Sequence, residues 1–374
     1  MLSAAAFVYV TAEIIPVGAL PAIARDLQVS EAVVGTLLAS YALVAAVATV
    51  PLVRWTAAWP RRRTLIFTLV CLTVSQLVSA MAPTFTVLAL GRVLCALTHG
   101  LMWSVIAPIG TRLVPPSHAA RATMAVYVGT ALALVVGSPV TAALSQLWGW
   151  RMAVVAITAA AAVVTVAARL ALPRMPMTED STRAGLPRQW HHRNRRLLTM
   201  SVLTLVGVTG HFISYTFIVV IIRDVVGVRG PDLAWLLAAY GVAGLVAMAV
   251  LARPGDRRPK GAILLCLAGS SLAFATLAGL GFFEQRHTTP LVLLGVAAII
   301  LWGATATAMP PILQSAAMRH SPEDPDGASG LYVAAFQVGI MAGSLLGGLL
   351  YQRVGIPATI AASAVLARTA DRSA

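Results

Sequence analysis

Four charged or imidazole side chains stand inside the long apolar stretches of this chain: Glu13, Arg92, His99 and His211. Of the thirteen acidic residues, Glu13 alone lies well inside such a stretch, about halfway along 4–24. A carboxyl group at bilayer depth costs several kcal/mol unless it is neutral, paired or facing water. Membrane proteins use such a group to carry protons, hold cations or meet a polar ligand. Arg92 and His99 are seven residues apart, two helical turns on one face, and Trp103 extends that stripe by a further turn. A cation, an imidazole and an indole in one stripe belong in a bundle interior, because lipid penalises the first two. Two histidines at this depth raise the question of a metal, but no His/Cys/Asp/Glu spacing supports a site, so neither metal nor cofactor is expected. There is no G-x-S-x-G elbow and no phosphate-cradling loop with its lysine, so the residues do not read as an enzyme's. Cys71, Cys95 and Cys266 lie far apart in apolar segments and read as core residues without a disulfide.

The elements that position these groups follow from composition. The chain is 59 % hydrophobic and 11 % charged, where a soluble domain carries roughly a quarter charged residues. Its apolar runs have the length a helix needs to cross a ~30 Å hydrocarbon core. They predict an all-α, polytopic membrane protein with spans near 4–24, 31–53, 64–82, 85–112, 120–147 and 150–172, then 197–222, 232–252, 261–282, 289–316, 327–350 and a short 354–368. A Pro- and Arg-rich stretch at 173–196 reads as a solvated tether between an N-terminal bundle, 1–172, and a C-terminal bundle, 197–374.

Loop charge tests this topology separately. With the N-terminus in the cytoplasm, twenty of the 27 Lys and Arg fall on the cytoplasmic side. Six (Arg25, Arg151, Arg223, Arg229, Arg286 and Arg353) fall opposite, and Arg92 lies within a span. That bias satisfies the positive-inside rule and puts both termini in the cytoplasm. The net charge of +14 does not imply nucleic acid, since the basic residues sit in short loops without interleaved aromatics. The first apolar run, with no basic start and with Glu13 inside it, does not read as a signal peptide. Both halves carry a basic loop after their second span, WPRRR at 59–63 and GDRRPK at 255–260. Such a repeat marks transporters built from two related halves. Gly343–Gly348, inside a span, reads as close helix packing.

Several stretches together resemble the major facilitator superfamily, and within it the proton-coupled drug and sugar efflux branch, the sugar efflux transporters above all. They are TAEIIPVGALPAIARDL at 11–27, RVLCALTHGLMWSVIAP at 92–108, GTALALVVGSP at 129–139, WGWRMAVVAI at 148–157 and TGHFISYTFI at 209–218. The resemblance implies twelve helices in two six-helix bundles that rock about a central cavity. Arg92 and Gly100 fall on its fourth-helix motif, where the arginine is tied to proton coupling. Gly129, Gly137 and Pro139 fall on the fifth-helix antiporter motif, and Arg61, Arg62, Asp256 and Arg257 on the gating loops. Glu13, His99 and His211 match cavity-lining positions. The loop 51–63 departs from the pattern: it has the arginines but no acid, so the family's usual lock lacks its own counter-ion there.

These readings converge on proton-coupled efflux of a small solute across a bacterial-type cytoplasmic membrane, by a monomer. Its expected partners are protons, the solute and the bilayer. Glu13, Arg92 and His99 are the proton-coupling candidates. Glu13, His99, Trp103, His211 and Tyr215 are the substrate-binding candidates. Each also has a plainer reading: a satisfied carboxyl, a core histidine, an aromatic in packing, an arginine holding helices through backbone carbonyls. Sugars or sugar-like compounds are the expected solute, with phenicol-type or other small drugs as the alternative. A membrane sensor is the competing class, but a linker of about 24 residues leaves no room for an output domain.

Overall fold

The structure is a computed structural model and describes residues 1–173, 194–282 and 288–373. Most of the expected linker, 174–193, therefore lies outside the described residues. Among those described the chain is helical, with no strand. In chain order the helices are α1 Leu2–Gly18, α2 Leu20–Asp26, α3 Glu31–Trp55, α4 Arg61–Ala80, α5 Phe85–Arg112, α6 Ala119–Leu132, α7 Ser138–Trp148 and α8 Trp150–Ala171. They continue as α9 Arg195–Tyr215, α10 Pro231–Arg257, α11 Pro259–Phe282, α12 Thr289–Arg319 and α13 Pro325–Ser373. Nine stretches among the described residues are long and apolar enough to cross a membrane.

Three spans that read as continuous are interrupted. The first breaks at Ala19, just ahead of Pro21. The fifth passes from α6 through a π-helical turn, Ala133–Gly137, into α7. Pro139 explains that turn: it has no N–H for the Val135 carbonyl, and its ring crowds the preceding turn. The seventh ends α9 at Tyr215 and closes in a π-helical turn, Ile221–Val226, capped by Gly227 at φ 84°. The last two expected spans join across a kink at Gly355, φ 81°. The helix then runs on to Ser373, past the expected end at 368, because a helix need not stop where its apolar run does.

The chain folds as two compact units. The first comprises Met1–Pro116, Ala125–Leu198 and Ala317–Gln337; the second comprises Ser117–Met124, Thr199–Ala316 and Val338–Ala374. In the second unit, Gly343 meets the Thr209 carbonyl and Gly347 the Ile213 carbonyl, so α13 lies directly on the α9 backbone.

Each unit closes one basic loop onto a helix start. In the first unit the loop without an acid finds one elsewhere. Arg61 Nε donates to Asp326 Oδ2 at 2.7 Å, and Arg112 Nη2 donates to the same oxygen at 2.8 Å. Asp326 is buried in the first turn of α13. Arg62 donates instead to the Arg169 carbonyl. In the second unit Asp256 Oδ1 accepts from the Ala120 N–H at 2.7 Å, at the start of α6, and Oδ2 accepts from Arg121 Nε at 2.6 Å. Arg257, the last residue of α10, is exposed.

The fifth-helix motif packs on α1. A Cβ at Gly129 would lie 1.9 Å from the Ser3 carbonyl oxygen, and one at Gly137 2.4 Å from Thr11 Oγ1. Both contacts have the same spacing along the two helices, so the crossing is held at two points, one ahead of the π-helical turn and one at its end. Backbone cannot yield at Ser3, whereas the Thr11 side chain can turn. Gly129→Ala should therefore lower the stability of the detergent-solubilised protein by roughly 2–3 kcal/mol and Gly137→Ala by about 1 kcal/mol. Thermal unfolding checks this; equal losses would show that α1 and α6 are not in close contact at Ser3.

Candidate functional site

The site in the first unit is built from a proline. Pro16 lies inside α1 and has no N–H to give the carbonyl four residues earlier, that of Ala12. In a membrane interior such an orphan must find another donor. Arg92 supplies it: Nη1 donates to the Ala12 carbonyl at 2.6 Å and Nη2 to the Glu13 carbonyl at 2.8 Å. Thr84 caps the start of α5 by accepting from the Val87 N–H. From that start the helical period brings Arg92, His99 and Trp103 to one side. Arg92 is only 3 % exposed, and its guanidinium lies over the Tyr41 ring, 4.8 Å from the centroid.

The Glu13 carboxylate is thereby left without the cation as a direct partner. Its Oε2 stands 3.9 Å from His99 Nδ1, too far for a hydrogen bond, and its side chain keeps 21 % of its surface accessible. His99 Nδ1 is instead 2.9 Å from the Tyr41 hydroxyl, which also lies 3.3 Å from Cys95 Sγ. Tyr41 and Tyr9 both meet the imidazole edge-on, at 5.3 and 6.0 Å between centroids. Tyr9 is anchored to the Thr68 carbonyl and to Thr98 Oγ1. Trp103 is buried between His99 and Tyr127, with the latter ring at 5.0 Å. Gly100, beside His99, lets α5 close on Thr49 of α3.

In the second unit His211 and Tyr215, one turn apart on α9, stack at 5.0 Å with 25° between their planes. Trp302 Nε1 of α12 donates to His211 Nδ1 at 3.0 Å. Trp302 is fully buried, edge-on to Tyr240 and packed on Phe274. The expected residues thus fall into two groups: Glu13, Arg92, His99 and Trp103 in the first unit, His211 and Tyr215 in the second. Among the described residues no cluster of three or more His, Cys, Asp or Glu is arranged to hold a metal.

Tyr9, Tyr41, Tyr127, Tyr240 and Trp302 were missed by sequence reasoning. A signal existed: a hydroxyl or indole N–H at bilayer depth must find a partner, which makes each such residue a candidate neighbour of the ionisable groups.

A profile of the Major Facilitator Superfamily matches residues 2–327 and again 200–370. A protein named as a chloramphenicol efflux pump in one strain of Mycobacterium tuberculosis is 69 % identical over 353 residues, covering 94 % of this chain and 85 % of the relative. Its counterpart in a second strain, named likewise, is 68 % identical over the same length. Among solved structures, the human organic anion transporter MFSD10 (TETRAN) matches with a TM-score of 0.75 at 17 % identity, over 100 % of this chain and 97 % of that one. FucP, a major facilitator transporter in the outward conformation, matches at 0.73 and 14 % identity, over 100 % and 96 %. The fold is therefore all-α and polytopic, of the twelve-helix major-facilitator type.

The proline–arginine pairing can be measured. Arg92→Gln should lower the thermal stability of the solubilised protein by about 2–3 kcal/mol, the loss of charge-assisted hydrogen bonds. In a Pro16→Ala background, where the Ala12 carbonyl regains an N–H, about 1 kcal/mol or more of that loss should disappear. Strict additivity in the double-mutant cycle would show that Arg92 does not serve the carbonyl Pro16 leaves open.

Proposed function

The chain belongs to the major facilitator superfamily, and from that premise we propose that it exports phenicol-type drugs in exchange for protons, with Glu13 as the exchanging group. Its relatives' names favour this drug-exporting alternative over the sugar efflux that the sequence put first, which finds no direct support among them. The observation that carries the coupling role is the division of labour between Arg92 and Glu13. The guanidinium spends its hydrogen bonds on backbone carbonyls, and the carboxylate stays partly accessible beside His99. A carboxyl so placed can take and give up a proton as its solvation changes, while Arg92 supplies a fixed positive field close by.

In this reading protonated Glu13 with an empty site favours one orientation of the transporter. Deprotonated Glu13 with bound drug favours the other. One proton entering down ~100 mV supplies roughly 2.3 kcal/mol before any pH gradient is counted. His99, held by Tyr41, sets the surroundings of the carboxyl. Two six-helix bundles joined by the 173–196 linker, a monomeric state, a cytoplasmic-membrane location and cytoplasmic termini complete the proposal.

The test is chloramphenicol transport in proteoliposomes under an imposed pH gradient. The native chain should concentrate the drug against its gradient, and Glu13→Gln should still bind it but lose the pH-driven accumulation. If Glu13→Gln accumulates the drug as well as the native chain, another group couples the proton.

A further inference from the structure

The bond between Trp302 and His211 fixes more than a helix contact. An indole N–H can only donate, and Trp302 Nε1 donates to His211 Nδ1 at 3.0 Å. The receiving nitrogen must hold a lone pair, so the imidazole is neutral and carries its one proton on Nε2. Trp302 has no freedom to release the ring. It is fully buried, with Tyr240 at 5.6 Å edge-on and Phe274 at 4.9 Å, and turning it would open the core of the unit. Among the described residues no ion pair reaches His211.

His211 Nε2 has no hydrogen-bond partner among the described residues. It is also not sealed in: the side chain lies deep in the fold yet keeps part of its surface accessible. A donor presented this way meets only an acceptor. Beside it the Tyr215 ring lies nearly parallel to the imidazole and is itself partly accessible. The pair offers a flat aromatic surface with one outward N–H.

We propose that His211 is an obligate hydrogen-bond donor to the transported solute, locked in that role by Trp302 as a positioning residue. The solute it takes is a neutral molecule with one flat aromatic ring, which lies along the Tyr215 ring, and an oxygen acceptor such as a nitro or amide group. A lipophilic cation brings charge and no acceptor, and so leaves the outward N–H of His211 unpaired. This rests on the exporter reading above and names the feature of the solute that the second unit recognises.

The experiment uses the full chain purified in detergent, with no proton gradient, and two probes: radiolabelled chloramphenicol and tetraphenylphosphonium. The native chain should bind the first in preference to the second. His211→Phe should weaken chloramphenicol binding about tenfold, the value of one hydrogen bond, and His211→Gln, which keeps an N–H donor, should recover part of it. In nitrogen-15 histidine spectra the native chain should show His211 as the single Nε2–H tautomer. Trp302→Phe should convert it to a mixture and weaken binding, a change that packing alone would not produce in the spectrum. A native spectrum with Nδ1 protonated overturns the proposal without any variant. So does preferential binding of the cation, or unchanged chloramphenicol binding in both His211 variants. Normal binding with failed pH-driven transport would instead count against the coupling reading and leave this one standing.

Discussion

A proline in the first helix sets the terms for the ionisable groups of the first unit. By removing one N–H, Pro16 leaves the Ala12 carbonyl open at a depth where water cannot serve it. Arg92 answers with its guanidinium, and in doing so a residue expensive to bury becomes the satisfaction of another. The two costs offset each other. Either alone would be destabilising; together they pin α1 to α5 at the level of Glu13. In this geometry the arginine forms no close ion pair with the carboxylate; its two terminal nitrogens point at main-chain oxygens. Glu13 is thus free to change its protonation without breaking the joint between the helices, a separation that a simple Glu–Arg pair would not allow.

The two basic loops solve one electrostatic problem with opposite signs. A helix start favours negative charge, because its first N–H groups lack partners. In the second unit the loop brings the anion: Asp256 takes the Ala120 N–H at the start of α6 and then Arg121. In the first unit the anion is already on the helix, as Asp326 in the first turn of α13, and the loop brings Arg61 to neutralise it. Arg112, at the end of α5 where a cation is favoured, completes that pairing. The missing acid in 51–63 is therefore a transfer of charge from loop to helix, with the contact kept.

Legibility in the sequence followed the kind of interaction. Arg92, His99 and Trp103 could be grouped because helical periodicity relates residues on one helix, and Glu13 stood out by its cost. Pro16 was visible within TAEIIP, but which distant donor serves the carbonyl it exposes is a tertiary fact that period does not encode. The same holds for Tyr41 and Trp302. Each is one aromatic in a long apolar run until the facing helix is known, and only then does its hydroxyl or N–H acquire a direction. Asp326 lay just outside the expected span 327–350, where an acid attracts no notice. Its burial depends on Arg61, separated from it by most of the chain. The π-helical turn before Pro139 was closer to legible, since a proline inside an apolar run always frees a carbonyl. Whether the helix widens, kinks or finds a donor is decided by its neighbours.

The two histidines show why residue type alone underdetermines role. His99 Nδ1 faces a tyrosine hydroxyl, which can donate or accept, and a carboxylate lies 3.9 Å away. Its proton can therefore sit on either nitrogen, and the ring can respond to the charge on Glu13 by changing which bond it makes. His211 Nδ1 faces an indole N–H, which can only donate, so its tautomer does not respond to anything nearby. An adaptable imidazole suits a site where a proton comes and goes; a fixed one suits a site that must present the same face to each solute. The first and fourth helices of one half carry the adaptable pair, and the corresponding helices of the other half, α9 and α12, carry the fixed one. On the proposed reading, proton exchange and solute recognition fall to different halves of a repeated architecture, and the residues that make the difference are Tyr41 and Trp302, neither of which is ionised in either role.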